Sequence, residues 1–237
     1  MAEDLIVLLD YIGWKEPRGL HIISISLGGM ISQEVACRIP ERIISLTLSA
    51  TTSGGYPWTN FPSVYLLLVD AHPDLAKTSF LQWKKGKPRS PKISLSGPSS
   101  HLTVFTKSWL GDKDEEDPSR TNREHQTELF TKRMNLTKPQ TLLGTVYQMC
   151  SVLTHHVTPD RLRKISSSVS KVLLVTGDED DLLKADKTFY LKRHTPEAEL
   201  VQWENTGHAI NYQRRRKFNA LVERVVKEGR EKVSKRN

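Results

Sequence analysis

Residues Leu20 to Ala36, LHIISISLGGMISQEVA, narrow the possible folds of this chain more than any other stretch. A short run rich in β-branched residues ends at two serines and a glycine pair, after which apolar residues recur at helical intervals. The pattern predicts a buried strand over residues 21–25, a helix over residues 28–38 and, between them, a tight turn that exposes the hydroxyl of Ser26. A strand that passes directly into a helix is typical of α/β folds.

Further strands and helices alternate on both sides of a long middle segment. Strands are expected over residues 42–51 and in the runs that begin at Lys171 and Ala198, and helices over residues 3–11, 184–193 and 211–227. This alternation implies parallel strands with helical crossovers, because parallel neighbours cannot be joined by a tight hairpin. The predicted fold class is therefore α/β, with a mostly parallel sheet and flanking helices.

The middle of the chain follows a different pattern, with no convincing buried strand after Ser53 for roughly 110 residues. Helices are expected over residues 62–75, 120–134 and 141–153, a polar loop over 84–107, and a helix that starts at Thr158 and Pro159. We therefore predict a first part of the core at residues 1–55, a helical insertion at 56–165, and a second part of the core at 166–237.

The net charge of +8 and the isoelectric point near 9.4 raise the hypothesis of nucleic-acid binding, since clustered cations release counterions from phosphates. The basic residues concentrate at 83–92, at 214–217 and from Lys227 onward. No nucleic-acid-binding motif with interleaved aromatic residues accompanies them. The distribution favours a solvated face or tail, and no specific nucleic-acid partner is expected.

The two cysteines and the first residues of the chain bear on its compartment. Cys37 and Cys150 offer neither a disulfide framework nor metal-ligand spacing, and we interpret them as buried free thiols in a reducing compartment. The N-terminal residues are acidic where a signal peptide requires basic ones, and no apolar run approaches the roughly 20 residues of a membrane span. The sequence therefore predicts a cytoplasmic protein, and it does not indicate an oligomeric state.

The first polar turn, SISLG at residues 24–28, has the pattern of a nucleophile elbow. Such a turn needs small residues two positions before and two after the nucleophile, and here these are Ser24 and Gly28, with Gly29 adding room. The usual form is G-x-S-x-G, so Ser24 stands in place of the first glycine. The alternative is that Ser26 serves only as the N-cap of the helix that follows.

Two later turns carry groups that could assist such a serine. GDEDDLL, residues 177–183, follows a buried run, and Asp178, Asp180 and Asp181 are all candidates to orient an imidazole. NTGHAIN, residues 205–211, places His208 after the next strand, although a structural turn histidine is the alternative. The other histidines lie in the insertion or at element edges, with His155 and His156 as possible exceptions.

The order serine, carboxylate, histidine, each after a strand, is that of the α/β-hydrolase fold. The chain resembles the lid-bearing esterase and lactonase branch of the α/β-hydrolase superfamily in SISLGGMISQEVACRIPERIISLTLSAT, KVLLVTGDEDDLL and ENTGHAINYQ. The resemblance implies a triad of Ser26, Asp180 and His208, with the backbone N–H of Leu27 as an oxyanion donor. It implies a lid in the helical insertion and requires neither a cofactor nor a metal.

The resemblance does not extend to the front of the fold. Members of the superfamily usually begin with several strands, and the loop after one of them supplies the second oxyanion N–H. This chain opens on the helix before the elbow strand, so we expect a partial α/β-hydrolase fold that lacks those N-terminal strands, as in a truncated product. Loss of one oxyanion donor typically costs about 2.7 to 4 kcal/mol of transition-state stabilisation, so any activity is expected to be weakened.

The sequence thus predicts a serine hydrolase for a small-molecule ester, lactone or thioester. An acyltransferase with the same triad is a related alternative, and a hydrolase-like binding protein without catalysis is an alternative of another class. Trp58, Trp109 and Trp203 could line a pocket, although packing in the core or lid is favoured. Substrate identity cannot be read from a single sequence, because lid and pocket residues determine it.

Overall fold

The computed structural model describes residues 1–55, 100–138 and 141–235. The chain forms two compact units, of which the first comprises Met1–Gly55 and His155–Asn237 and the second comprises Tyr56–Thr154. The expected helix at 62–75, residues 84–99 of the loop expected at 84–107, and Trp58 lie outside the described residues. The rest of that expected loop is in part helical, with a 3₁₀ turn at Ser100–Val104 and the start of a helix at Lys107.

Of the described residues, those in the first unit contain the four strands and six of the nine α-helices. In chain order these are α1 (Ala2–Tyr11), β1 (Leu20–Ile25), α2 (Leu27–Arg38), a 3₁₀ turn (Pro40–Arg42), β2 (Ile43–Ser49), α6 (Pro159–Ser168), β3 (Lys171–Gly177), α7 (Ala185–His194), β4 (Glu199–Trp203), α8 (Ile210–Gln213) and α9 (Arg215–Ser234). In the second unit, a 3₁₀ turn (Ser100–Val104) precedes α3 (Lys107–Gly111), α4 (Asn122–Leu136) and α5 (Leu142–Thr154).

The four strands form one sheet in the order β1-β2-β3-β4, and all three neighbouring pairs are parallel. Ile23 lies opposite Thr47, Leu48 opposite Leu174, and Val175 opposite Val201. Helix α2 connects β1 to β2 and helix α7 connects β3 to β4, as parallel neighbours require. The predicted α/β class is confirmed, and the parallel sheet with flanking helices corresponds to part of an α/β-hydrolase fold.

Helices cover both faces of the sheet, and the side chains of β3 contribute to the core on each face. Val172 and Leu174 belong to a core cluster that includes Leu162 of α6 and Leu191 of α7, whereas Leu173 belongs to a second cluster on the side of α8 and α9. Successive side chains of a strand point to opposite faces, so a strand buried on both sides is a continuous apolar run. The run KVLLV in β3 has that composition.

Several sequence-based boundaries differ from the structure. The insertion was expected to continue to residue 165, yet α6 belongs to the first unit and buries Leu162 and Ile165 in its core. The single helix expected at 211–227 is two helices, α8 and α9, which separate at Arg214. The expectation of two buried thiols was wrong, since Cys37 is half-buried and Cys150 is exposed.

Two kinds of feature are absent from the described residues. None of the helices in ranges 1–55, 100–138 and 141–235 combines the length and the apolar character needed to cross a bilayer. Over the same ranges, no group of three or more His, Cys, Asp or Glu side chains has the arrangement of a metal site.

Candidate active site

Ser26 lies between β1 and α2 in a strained backbone conformation. Its φ of 55° and ψ of −123° are rarely adopted by a residue with a side chain. Its N–H donates to the carbonyl of Ser49 at 3.0 Å, and its own carbonyl accepts the Gly29 N–H at 2.9 Å. Although Ser26 precedes α2, its hydroxyl makes no capping hydrogen bond, so the helix-capping alternative is wrong.

The space that the elbow requires is at Gly29. A Cβ built there would lie 2.6 Å from both Cβ and Oγ1 of Thr51, whereas one at Gly28 would lie 3.8 Å from Cβ of Ser24, an ordinary contact. The hydroxyl of Thr51 also donates to the carbonyl of Ser26 at 2.7 Å. Thr51 therefore fills the volume beside the elbow and holds its backbone, and the sequence pattern gave Gly28 a role that belongs chiefly to Gly29.

Leu27 is the first residue of α2, so its amide belongs to the first turn of the helix. The first N–H groups of a helix have no partner within it and point along the axis away from the helix body. Together with the positive end of the helix dipole, such groups favour negative charge. The Leu27 N–H can therefore stabilise an anion that forms next to Ser26.

Of the three candidate acids, Asp180 is the one that contacts His208. Its side chain is fully buried, and its Oδ2 lies 2.8 Å from Nδ1 of His208. Its other oxygen accepts the N–H groups of Leu182 at 2.9 Å and Leu183 at 2.8 Å. Of the other candidates, Asp181 is exposed, and Asp178 accepts the N–H of Thr206 at 3.1 Å.

The contact with Asp180 bears on the tautomer of the neutral His208 ring. An ionised carboxylate only accepts hydrogen bonds, so Nδ1 of the neutral ring must carry the hydrogen, and Nε2 keeps a lone pair. His208 is buried in the loop after β4, and its ring is thus oriented to accept a proton at Nε2. This is the arrangement that a general base needs.

The acid loop and the histidine loop are joined through Thr206. Its N–H donates to the carboxylate of Asp178, and its carbonyl accepts the N–H of Glu179 at 3.0 Å. A Cβ at Gly177 would lie 1.9 Å from the carbonyl oxygen of Thr206, so glycine is required for this approach. The two loops therefore hold each other in place, which sequence reasoning did not foresee.

The helices after the histidine loop also hold it. Gln213 Oε1 accepts the N–H of Gly207 at 2.7 Å, and Arg214 Nε donates to Oγ1 of Thr206 at 2.9 Å. Arg214 also donates to the carbonyls of Glu204 and Asn205. Apart from the basic run at residues 214–217, whose composition favours a solvated face, no sequence pattern points to Gln213 or Arg214.

The structure brings Asp180 and His208 into contact and places Ser26 at the same edge of the sheet. The three residues follow β1, β3 and β4, and the strands are parallel, so all three turns leave the carboxyl edge, where α/β folds gather functional groups. Among the hydrogen bonds of residues 1–55 and 141–235, none joins the hydroxyl of Ser26 to His208.

The remaining histidine and tryptophan candidates among the described residues differ in burial and in packing. His155 is buried beside Gly54, and burial lowers its pKa to about 4, while His156 is exposed. Trp203 packs against the core cluster that includes Ile210. In the second unit, the ring of Trp109 stacks on Phe105 with a centroid separation of 5.0 Å.

Comparison with known proteins gives one family. The model of the alpha/beta hydrolase family matches residues 2–221 of this chain. No curated protein matches its sequence.

Solved structures with this fold include several hydrolases. The chain is 22% identical to MGS-M2, an alpha/beta hydrolase enzyme from a Medee basin deep-sea metagenome library, with a TM-score of 0.64 over 93% of this chain and 68% of that one. A thermophilic esterase from Thermogutta terrifontis gives 14% identity and a TM-score of 0.66, over 96% and 71% of the two chains. An N-acyl homoserine lactone degrading enzyme gives 19% identity and a TM-score of 0.58, over 94% of this chain and 72% of that one. At these identities the likeness shows a shared fold.

Proposed function

Because the chain belongs to the α/β hydrolase family, we propose that it is a serine hydrolase that cleaves a carboxylic ester, lactone or thioester. Ser26 is the nucleophile, His208 the general base and acid, and Asp180 the carboxylate that orients the histidine. The observation that carries this proposal is the buried Asp180–His208 pair at the sheet edge that also bears the strained Ser26. Neighbours described as an esterase and as a lactone-degrading enzyme support the substrate class.

The proposed reaction uses each group in turn. Oγ of Ser26 attacks the acyl carbonyl carbon while Nε2 of His208 takes the hydroxyl proton. The N–H of Leu27 donates a hydrogen bond to the carbonyl oxygen as negative charge forms on it. The bond to the leaving alcohol or thiol then breaks, and His208 protonates that group. Water attacks the acyl carbon of the acyl-enzyme and gives a proton to Nε2 of His208. The bond between that carbon and Oγ of Ser26 then breaks, His208 returns the proton to Oγ, and the carboxylic acid leaves.

The carboxylate acts through the histidine. An ionised Asp180 stabilises the imidazolium that forms when His208 takes the proton, and it keeps the hydrogen of the neutral ring on Nδ1. Two backbone N–H groups bind its other oxygen, so the carboxylate cannot rotate away without losing them. We also propose that the helical insertion, which is the second unit Tyr56–Thr154 and not the whole of the expected 56–165, acts as the lid and selects the acyl group.

Turnover of p-nitrophenyl acetate and butyrate, a phenyl thioester and a γ-lactone tests the proposal. We expect Ser26→Ala to lower kcat by about 10⁴-fold or more, since triad members act as a unit. Ser32→Ala is the matched control, because the Ser32 hydroxyl only donates to the Gly28 carbonyl within α2. Equal rates for the wild type and Ser26→Ala over the whole panel would contradict the proposal and favour a binding protein. Faster acyl transfer to an added alcohol than to water would assign an acyltransferase.

A further inference from the structure

Gln213 contacts the residue directly before His208. Its side chain is buried, and Oε1 accepts the N–H of Gly207 at 2.7 Å. Because an N–H can bond only to the amide oxygen, this contact also fixes the orientation of the Gln213 amide. The side chain thus reaches from the end of α8 back to the backbone of the histidine loop.

Hydrogen bonds hold the backbone on both sides of His208. The N–H of Ile210, the first residue of α8, donates to the carbonyl of His208 at 2.9 Å. The N–H of Gln213 donates to the carbonyl of Ala209 at 3.0 Å. The backbone is therefore held on the C-terminal side of His208 by the helix and on its N-terminal side by the Gln213 side chain.

We propose that Gln213 is a positioning residue that fixes the His208 imidazole between Asp180 and Ser26; this inference rests on the proposed function. Gly207 has no Cβ, so its φ and ψ are the least restricted in the loop, and the hydrogen bond to Gln213 limits them. Rotation at Gly207 would move the ring of His208 away from the Asp180 carboxylate. A displacement of about 1 Å in a reacting group can cost on the order of 100-fold in rate.

A purely structural role for Gln213 would have a different signature. A buried N–H without an acceptor destabilises the fold, and that loss alone would lower the melting temperature without changing the chemistry of the folded enzyme. Positioning instead affects kcat and the hydrogen bond between His208 and Asp180. The experiment must therefore separate stability from geometry.

The variants are Gln213→Met, which keeps the side-chain length but removes the acceptor, and Gln213→Glu, which retains an acceptor oxygen. We expect Gln213→Met to lower kcat for the best ester of the panel by about 10- to 100-fold with KM little changed. Gln213→Glu should restore kcat to within a few-fold of the wild type. Leu162→Ala, which creates a cavity in the core beside α6, is the control for lost stability and should keep the wild-type kcat at a temperature where it is folded.

A second readout needs no turnover. The Nδ1 proton of a histidine bonded to a carboxylate gives a low-field resonance in the proton NMR spectrum, and we expect that of His208 in the wild type and in Gln213→Glu. Gln213→Met should shift or broaden it. The pair of His125 Nδ1 and Asp114 Oδ2 in the second unit, 2.5 Å apart, provides a reference resonance that should stay unchanged, and His125→Gln and His208→Gln assign the two signals.

The two readouts keep this inference separate from the proposed function. A wild type without turnover whose His208 resonance is lost in Gln213→Met would contradict the serine-hydrolase proposal and support the role of Gln213 in placing the ring. Wild-type kcat and an unchanged His208 resonance in folded Gln213→Met would overturn the positioning role.

Discussion

The elbow at Ser26 requires a residue without a side chain, Gly29, in the first turn of α2. Gly29 leaves the volume that Thr51 occupies, and Thr51 in turn binds the carbonyl of Ser26. The strained φ of Ser26 costs on the order of 1–3 kcal/mol, so its surroundings must hold it in place. Thr51 and Gly29 together provide that constraint.

Gly29→Ala tests this account of the elbow. The new Cβ would meet Thr51 at 2.6 Å, so we expect a loss of about 1–3 kcal/mol in the free energy of unfolding, measured with urea. Gly28→Ala is the matched control, because its Cβ has room and alanine has a better helix propensity than glycine by up to about 1 kcal/mol. Equal stability of the two variants would contradict the role given to Gly29.

Single residues also show how far the sequence alone can lead. Ser26 and His208 stand out because each follows a strand within a short, recognisable turn. The residues of the acid turn alone leave Asp178, Asp180 and Asp181 open, and the resemblance to the hydrolase family was needed to prefer Asp180. Its burial and its partner 28 residues away are features of the tertiary structure. Gln213 has the same property, since its partner is a backbone N–H that any residue could provide.

Helix α6 is the element whose position in the molecule differs most from the sequence-based expectation. Its start at Thr158 and Pro159 was predicted from the capping pattern, yet the helix was expected to belong to the insertion. Leu162 and Ile165 instead belong to the core cluster of the first unit, which also contains residues of β2 and β3. An amphipathic helix reveals which face is buried, whereas the element that covers that face is determined by the tertiary fold.

Leu162→Ala measures how firmly α6 belongs to that core. The side chain is fully buried, so the cavity should lower the free energy of unfolding by about 2–5 kcal/mol. Leu143→Ala on α5 is the control, because Leu143 is 59% exposed and its truncation should change stability by less than about 0.5 kcal/mol. Similar small effects from both variants would show that α6 does not support the core.

The division between α8 and α9 is a second case at this level. Neither proline nor glycine marks the break at Arg214, so the pattern predicted one continuous helix. Arg214 has φ of −124° and ψ of 38°, and its guanidinium binds Thr206 and the carbonyls of the histidine loop. The break coincides with hydrogen bonds from the Arg214 side chain to the histidine loop, and the local sequence does not predict those tertiary contacts.

In the whole molecule, the chain leaves the first unit at Gly55 and returns at His155, and these two segments bind each other. The N–H of Gly55 donates to the carbonyl of His155 at 3.1 Å, and that of Val157 donates to the carbonyl of Ser53 at 2.8 Å. A Cβ at Gly54 would lie 1.8 Å from the His155 carbonyl oxygen, so the segments are tightly packed. The buried ring of His155 is part of this junction.

The stability of the first unit should therefore depend on pH through His155. Burial lowers its pKa from 6.5 to about 4, although Glu34 opposes this shift, while Arg161 and His156 add to it. Between those two values the unfolded chain binds more protons than the folded one, so stability falls as the pH decreases through this window. From pH 7.5 to pH 5 the loss due to His155 should be about 2 kcal/mol.

Urea unfolding at the two pH values measures this loss. His155→Gln cannot take up the proton, so its stability should decrease by about 2 kcal/mol less than that of the wild type over the same interval. Other titrating groups contribute equally to both proteins and cancel in the comparison. The same pH dependence in the wild type and the variant would contradict the role of His155.

The account rests centrally on an activated Ser26, and covalent labelling by a fluorophosphonate probe tests this most directly. The probe reacts only with a nucleophilic serine, and peptide mass spectrometry locates the adduct. We expect one adduct on Ser26 in the wild type, much slower labelling in Asp180→Asn and His208→Gln, and none in Ser26→Ala. A folded wild-type protein that stays unlabelled, or that is labelled equally in the absence of Ser26, would contradict the account.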